Sequence, residues 1–219
     1  ISRRVSPNQE KGRAESVRVG DAVVSDFDVY VFDPPQALSL RLDKGMNYSG
    51  ILGYTFLSRF VTTLDYQRNT VRLVPLASLP KGKLPLPSGA AALPVQIAGG
   101  SLWVRGAINN RGPITFVVDT GSAEVLITPK VSQALGLARV DRSEHPGIGF
   151  ARLAQVSLGP ARVADIQAVV HSLPAEGLLG GSCDGIIGYP FLSKFKVTVN
   201  YRDKLLILEP PSTDAEPVK

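Results

Sequence analysis

With a single cysteine, Cys183, in 219 residues, the chain cannot close an internal disulfide, so its fold must be held by packing and hydrogen bonds. Histidine is nearly as scarce. His145 and His171 are the only two, and they form no metal-ligand cluster with Cys183, which leaves no basis for a structural zinc or any other metal site. No stretch approaches the roughly 18 to 20 apolar residues that would cross a bilayer as a helix, so no membrane span is expected. The first residue is Ile1 and no charged-then-apolar leader follows it. Any targeting segment is therefore expected to lie outside these residues, and localisation stays open, the periplasm and the cell exterior both being compatible.

Charge is not concentrated either. The chain carries 24 Lys and Arg against 19 Asp and Glu, a net +5, but the basic residues are spread along it with only small knots such as Arg3-Arg4 and Lys81 to Lys83. A solvated surface accounts for them, and with no helix-turn-helix, paired-aromatic sheet or zinc finger in the sequence no nucleic-acid partner is expected. At 44% hydrophobic and 20% charged residues, the chain has the composition of an ordinary globular protein with a sizeable core.

What the sequence does contain is a repeat. Residues 51–75, ILGYTFLSRFVTTLDYQRNTVRLVP, align without a gap with residues 186–210, IIGYPFLSKFKVTVNYRDKLLILEP, at an offset of 135, and 11 of the 25 positions are identical. Chance alone would give roughly two matches. Upstream, VRVGDAVVSDFDVYVF from Val17 matches VSLGPARVADIQAVVH from Val156 at an offset of 139, so the first copy carries four extra residues in its intervening loop. Between the copies, the Pro, Gly, Lys and Ala content of Leu76 to Pro94 reads as a linker. The polar, proline-bearing tail after Pro210 is expected to be disordered.

Short apolar runs dominate each copy: Val95 to Ile97, Leu102 to Ile108, Ile114 to Val118, Val125 to Ile127 and Leu205 to Leu208. Their length and turn punctuation predict strands, with Asn109 to Pro113 as a hairpin connection. Two short helices are expected. One is capped by Thr128 with Pro129 in its first turn and ends near Gly136; the other is opened by Pro190 and runs through Phe195. The fold class is mainly β, built as a small closed barrel or sandwich.

The segment Phe116 to Ile127 reads FVVDTGSAEVLI and places one acid at the end of an apolar strand that turns straight back into another. A carboxylate buried there would need specific partners. Gly121 can present its amide to it, Ser122 can donate to it, and the Thr120 hydroxyl can bond across to a symmetry-related strand. Asp-Thr-Gly alone is a weak signal, arising by chance in about one chain in twenty of this length. It gains weight from the apolar runs on both sides and from Asp184-Gly185-Ile186-Ile187-Gly188, which precedes the second helix and the final strands.

Taken together, FVVDTGSAEVLI and DGIIGYPFLSKF resemble the bacterial retropepsin-like aspartic peptidases, over about Leu93 to Pro210. The resemblance implies a retropepsin-like acid protease barrel that cuts a peptide or protein substrate and uses no cofactor. It implies that Asp119 is catalytic, supported by Thr120, Gly121 and Ser122, and that Gly147, Ile148, Gly149 and Phe150 belong to a flap over the substrate. The chain would then divide into residues 1–75, the C-terminal half of a first lobe; 76–92, a linker; 93–210, a complete lobe; and 211–219, a tail.

Such chemistry needs two acids sharing one proton, and only one Asp-Thr-Gly is present. Three readings follow. A segment preceding Ile1 supplies the second acid, about 16 to 20 residues upstream by the repeat alignment; two copies of Asp119 meet in a homodimer; or the barrel is a non-catalytic peptide-binding module.

Overall fold

The computed structural model describes residues 9–32, 50–80, 84–141, 147–173 and 183–211. His145, Pro146 and the tail from residue 212 lie outside the described residues. Fifteen strands and three short α-helices make up the described chain, which is mainly β, as the apolar pattern predicts. It forms two compact units, Ile1–Arg59 and Phe60–Lys219.

The first unit is a hairpin with one helix. Strands β1 (Gln9–Val19) and β2 (Ala22–Phe32) pair antiparallel across a two-residue turn in which Gly20 has φ +56°. Arg13 pairs with Asp26 across the hairpin, and Asp26 itself has φ +57°. Helix α1 (Tyr54–Leu57) buries Phe56 against Phe27, ring centroids 6.3 Å apart.

The second unit contains two sheets. One runs in the order β10–β11–β12–β9–β13–β8–β7–β6, and a further pairing of β11 with β7 closes six of its strands into a ring. Its members are β6 (Gln96–Ala98), β7 (Ser101–Ile108), β8 (Arg111–Val118), β9 (Val125–Ile127), β10 (Arg139–Asp141), β11 (Gly149–Leu158), β12 (Ala161–Val170) and β13 (Gly185–Ile187). Closing the ring removes most free edges, and the fully buried Ile108, Phe116, Val125, Leu153, Leu158 and Ile187 fill it. Arg152 pairs with Asp165 on β11–β12 just as Arg13 does with Asp26, and Asp165 has φ +58°. The upstream stretch of the repeat is thus the same hairpin twice, with a positive-φ aspartate at the same place in each.

Details of the connections differ from the sequence reading for local reasons. The β7–β8 turn is only Asn109-Asn110, with φ +51° and +61°, because two asparagines with positive φ make the tight primed turn that suits strand twist. Arg111, Gly112 and Pro113 therefore belong to β8. Helix α2 (Pro129–Ala134) is capped by the Thr128 hydroxyl, which accepts from Val131 N–H at 3.3 Å, as the sequence predicts. Helix α3 (Tyr189–Leu192) starts one residue before Pro190, with Gly188 at its N-cap. It stops short of Phe195, whose N–H bonds to Leu192 O in a following turn.

The other sheet has the order β4–β3–β14–β15–β5, from β3 (Phe60–Asp65), β4 (Thr70–Pro75), β5 (Ala91–Pro94), β14 (Lys196–Asn200) and β15 (Leu205–Glu209). Residues 60–75, assigned to the first repeat, thus lie in the second compact unit, while Ala91 and Ala92 of the expected linker are already strand. The β3–β14 register carries the reason: Thr63 faces Thr198, its own equivalent in the repeat, while Val61 faces Asn200 and Asp65 faces Lys196. Exchanging repeat equivalents maps each pair onto another pair, so a local two-fold axis passes between Thr63 and Thr198. Their hydroxyls hydrogen-bond across it at 2.8 Å.

Because that bond is part-buried, removing one partner strands the other. Thr63→Val is expected to lower unfolding free energy by about 1–2 kcal/mol. The double change with Thr198→Val should cost clearly less than the two single changes summed. Urea denaturation of the three variants measures this, and strict additivity would show that the bond carries no coupling.

Candidate active site

Strand β13 lies between β8 and β9, parallel to the first and antiparallel to the second. The loop joining β8 to β9 must therefore arch over the end of β13, and it consists of residues 119–124. Asp119 begins it. Its N–H bonds to Ile187 O at 3.0 Å, Ser122 N–H bonds back to Asp119 O at 3.2 Å, and Tyr189 N–H bonds to Ser122 O at 2.9 Å. The loop is thus tied to the segment Ile187 to Tyr189 at both ends.

Close approach is possible because Gly188 has no side chain. A Cβ there would run into Glu124 O and lie 2.6 Å from Ser122 O and 2.9 Å from the Ser122 side chain. Gly185 meets the same restriction one strand length back, against Leu126 O and the Phe116 ring. Asp184 fastens the other end of β13: its carboxylate accepts from Thr115 N–H at 2.8 Å, and its N–H donates to Thr115 O at 2.8 Å. Asp184 is a structural clamp.

The acid loop brings Asp119, Thr120, Gly121 and Ser122 together, with two differences from the roles read from sequence, at Ser122 and at Asp119. Gly121 N–H donates to Asp119 Oδ1 at 2.9 Å, as expected. Ser122 does not reach the carboxylate; its hydroxyl donates to Glu124 O at 3.0 Å, because the tight turn aims it down the chain. Asp119 is exposed rather than buried, so the cost of desolvating it does not arise in the described chain. Thr120 is exposed as well, and its hydroxyl has no partner among the described residues.

Gly147 to Phe150 occupy a separate hairpin, β10–β11. Gly149 and Phe150 pair with Asp141 and Val140, so they belong to the strand, while Gly147 is exposed with φ +87° and stands at the turn. Ile148 is half-buried between them. His171 Nδ1 lies 3.3 Å from Gly147 O.

Tyr66 is a site neighbour that the sequence reading did not single out. Its ring meets that of Tyr189 edge-on at 5.6 Å. The available signal was its identity with Tyr201 in the repeat. Burial pushes the Cys183 thiol above its ordinary value, which keeps it a neutral thiol and a poor nucleophile. A depression of about 440 Å³ on β6–β8, lined by residues such as Gln96, Trp103 and Arg105, includes no residue of the acid loop and has no acid pair.

Residues 104–191 match the family model described as "Aspartyl protease". The match is to aspartyl proteases. It spans the acid loop, the β10–β11 hairpin and β13, the elements on which the retropepsin-like resemblance rests. No curated protein matches the chain. Among solved structures, a retropepsin-like aspartic protease from Rickettsia conorii is 25% identical, covering 55% of this chain and 88% of its own, with a TM-score of 0.40. The retroviral protease-like domain of Ddi1 from Leishmania major is 15% identical, covering 55% and 100%, with a TM-score of 0.36. An aspartic proteinase from Irpex lacteus is 14% identical, covers 98% of this chain and 82% of its own, and has a TM-score of 0.50, which is a likeness of fold. Among the described residues no helix is long and apolar enough to cross a membrane.

Gly188→Ala tests the crossing. The added methyl group is expected to lower stability by about 1–3 kcal/mol through overpacking and to displace the acid loop. An unchanged urea midpoint would contradict the packing described.

Proposed function

We propose that the protein is an aspartic endopeptidase in which Asp119 is one of two carboxylates that share a proton. The observation that carries this reading is the acid loop itself. Asp119 is held by its backbone to Ile187, its Oδ1 is oriented by Gly121 N–H, and its carboxylate stands exposed at the rim of the barrel. A carboxylate that is rigidly placed yet open on one side can meet a second acid. One ionised member of such a pair activates a water, and the protonated member polarises the scissile carbonyl. The family match supports aspartic peptidase chemistry over the same residues.

The second acid, in this reading, comes from a segment preceding Ile1 that completes the first repeat. Support comes from the two-fold axis between Thr63 and Thr198. Within one chain, β3 already occupies the position on β14 that a second copy would need for the same pairing. The local axis relates β3 to its repeat equivalent β14, and in this reading the counterpart of Asp119 belongs to the first repeat rather than to another molecule. Thr120 would then find its hydroxyl partner in that counterpart loop. Gly147 to Phe150 would cover an extended peptide bound between the acids and the β10–β11 hairpin.

Asp119→Asn in the full-length protein is expected to reduce peptide cleavage by roughly a thousandfold or more, with the urea midpoint little changed because the side chain is exposed. Cleavage near the wild-type rate would sink the assignment. The wild-type rate should be highest at acidic pH and fall as pH rises, since the shared proton is lost once both carboxylates ionise. A cleavage rate still climbing above about pH 8 would indicate different chemistry.

A further inference from the structure

Tyr66 follows the last paired residue of β3, where Asp65 lies opposite Lys196 at the start of β14. It therefore leaves the sheet next to α3. Its ring stands edge-on to the Tyr189 ring, centroids 5.6 Å apart and planes at 82°, and Tyr189 N–H holds Ser122 O of the acid loop at 2.9 Å. A side chain from the first repeat thus reaches the acid loop of the second through one aromatic contact.

The hydroxyl of Tyr66 is what packing does not explain. It is fully buried and has no hydrogen-bond partner among the described residues, a condition that native structures rarely tolerate without a reason. Burial pushes the phenol up, and the neighbouring Tyr189 and the Asp119 carboxylate add smaller contributions in the same direction. The group is therefore held as a neutral donor, and the Asp119 charge acts on it. Asp119 Oδ1 is taken by Gly121 N–H, whereas Oδ2 has no partner among the described residues. A buried donor without an acceptor and a carboxylate oxygen without a donor thus flank the same segment, Tyr66 through the Tyr189 ring and Asp119 through the Ile187 carbonyl.

The repeat adds an independent observation. Tyr66 and Tyr201 are equivalent positions, as are Tyr54 and Tyr189, and all four are tyrosine. Three of the four adjacent positions have diverged, Asp65 against Asn200, Gln67 against Arg202 and Thr55 against Pro190, while Gly53 and Gly188 are both glycine. A ring contact alone would be served equally well by phenylalanine.

We propose that Tyr66 is a positioning residue of the acid site, whose hydroxyl gives the Asp119 carboxylate a hydrogen bond, directly or through one water, and so orients it toward the second acid. This rests on the peptidase reading above. Tyr66→Phe in the full-length protein keeps the ring and removes only the hydroxyl. The expected result is a kcat about tenfold lower with KM within about twofold of wild type, and a melting temperature unchanged or slightly higher. Tyr66→Leu, which also removes the edge contact, should lower kcat equally and lower the melting temperature as well. A wild-type kcat in Tyr66→Phe overturns the inference and leaves the peptidase reading standing. A loss of kcat in Tyr66→Phe accompanied by a clear fall in melting temperature also overturns it, because the role is then structural. A full-length wild-type protein that cleaves no peptide overturns both.

Discussion

The passage of β13 between β8 and β9 is the constraint on which the acid site depends. Three strands share one narrow place in the barrel, and the connection from β8 to β9 has no route except over the end of the middle one. Gly185 and Gly188 make the passage sterically possible, each lying where a Cβ would strike a backbone carbonyl. Asp119 acquires its position from this crossing, since its N–H is bonded to Ile187 O and the far side of its loop to Tyr189 N–H. The loop is thus anchored on strands of a closed barrel, which fixes the position of Asp119.

Around this crossing the side chains divide into those that hold the loop and those that face outward from it. Asp184 spends its carboxylate on Thr115 N–H and Ser122 its hydroxyl on Glu124 O, so both are committed to structure. Asp119 and Thr120 are exposed. Both are open to solvent, unlike the polar side chains that tie the loop to the barrel.

The second organising feature is the two-fold relation between the repeats. Thr63 and Thr198 meet on the axis, and β3 extends the sheet that β14 and β15 begin. Residues 60–75 therefore take their place by pairing with the other repeat, not by staying with the sequence that precedes them. This arrangement also brings Tyr66 against Tyr189, whose N–H holds the acid loop at Ser122 O. Compact unit and sequence repeat differ because strand pairing across the axis satisfies backbone hydrogen bonds that half a barrel leaves open.

By itself the sequence determined the mainly β class, the β7, β8, β9 and β15 positions to within a residue or a few, the Thr128 cap and the repeat, because alternation, turn residues and caps are local signals. The prominence of Asp119 was legible too, as an acid followed by Thr-Gly at the end of an apolar run. Only tertiary structure decided that Ser122 turns from the carboxylate, that Asp119 is exposed, and that residues 60–75 join the second unit. Those outcomes turn on which strand lies beside which, and on where a loop is forced to bend. The threading of β13 depends on partners about 60 to 70 residues away in sequence, and the β3–β14 pairing on partners 135 apart. Contacts of such long range leave no periodic trace in either partner, except where, as at Thr63 and Thr198, the chain happens to have written the same segment twice.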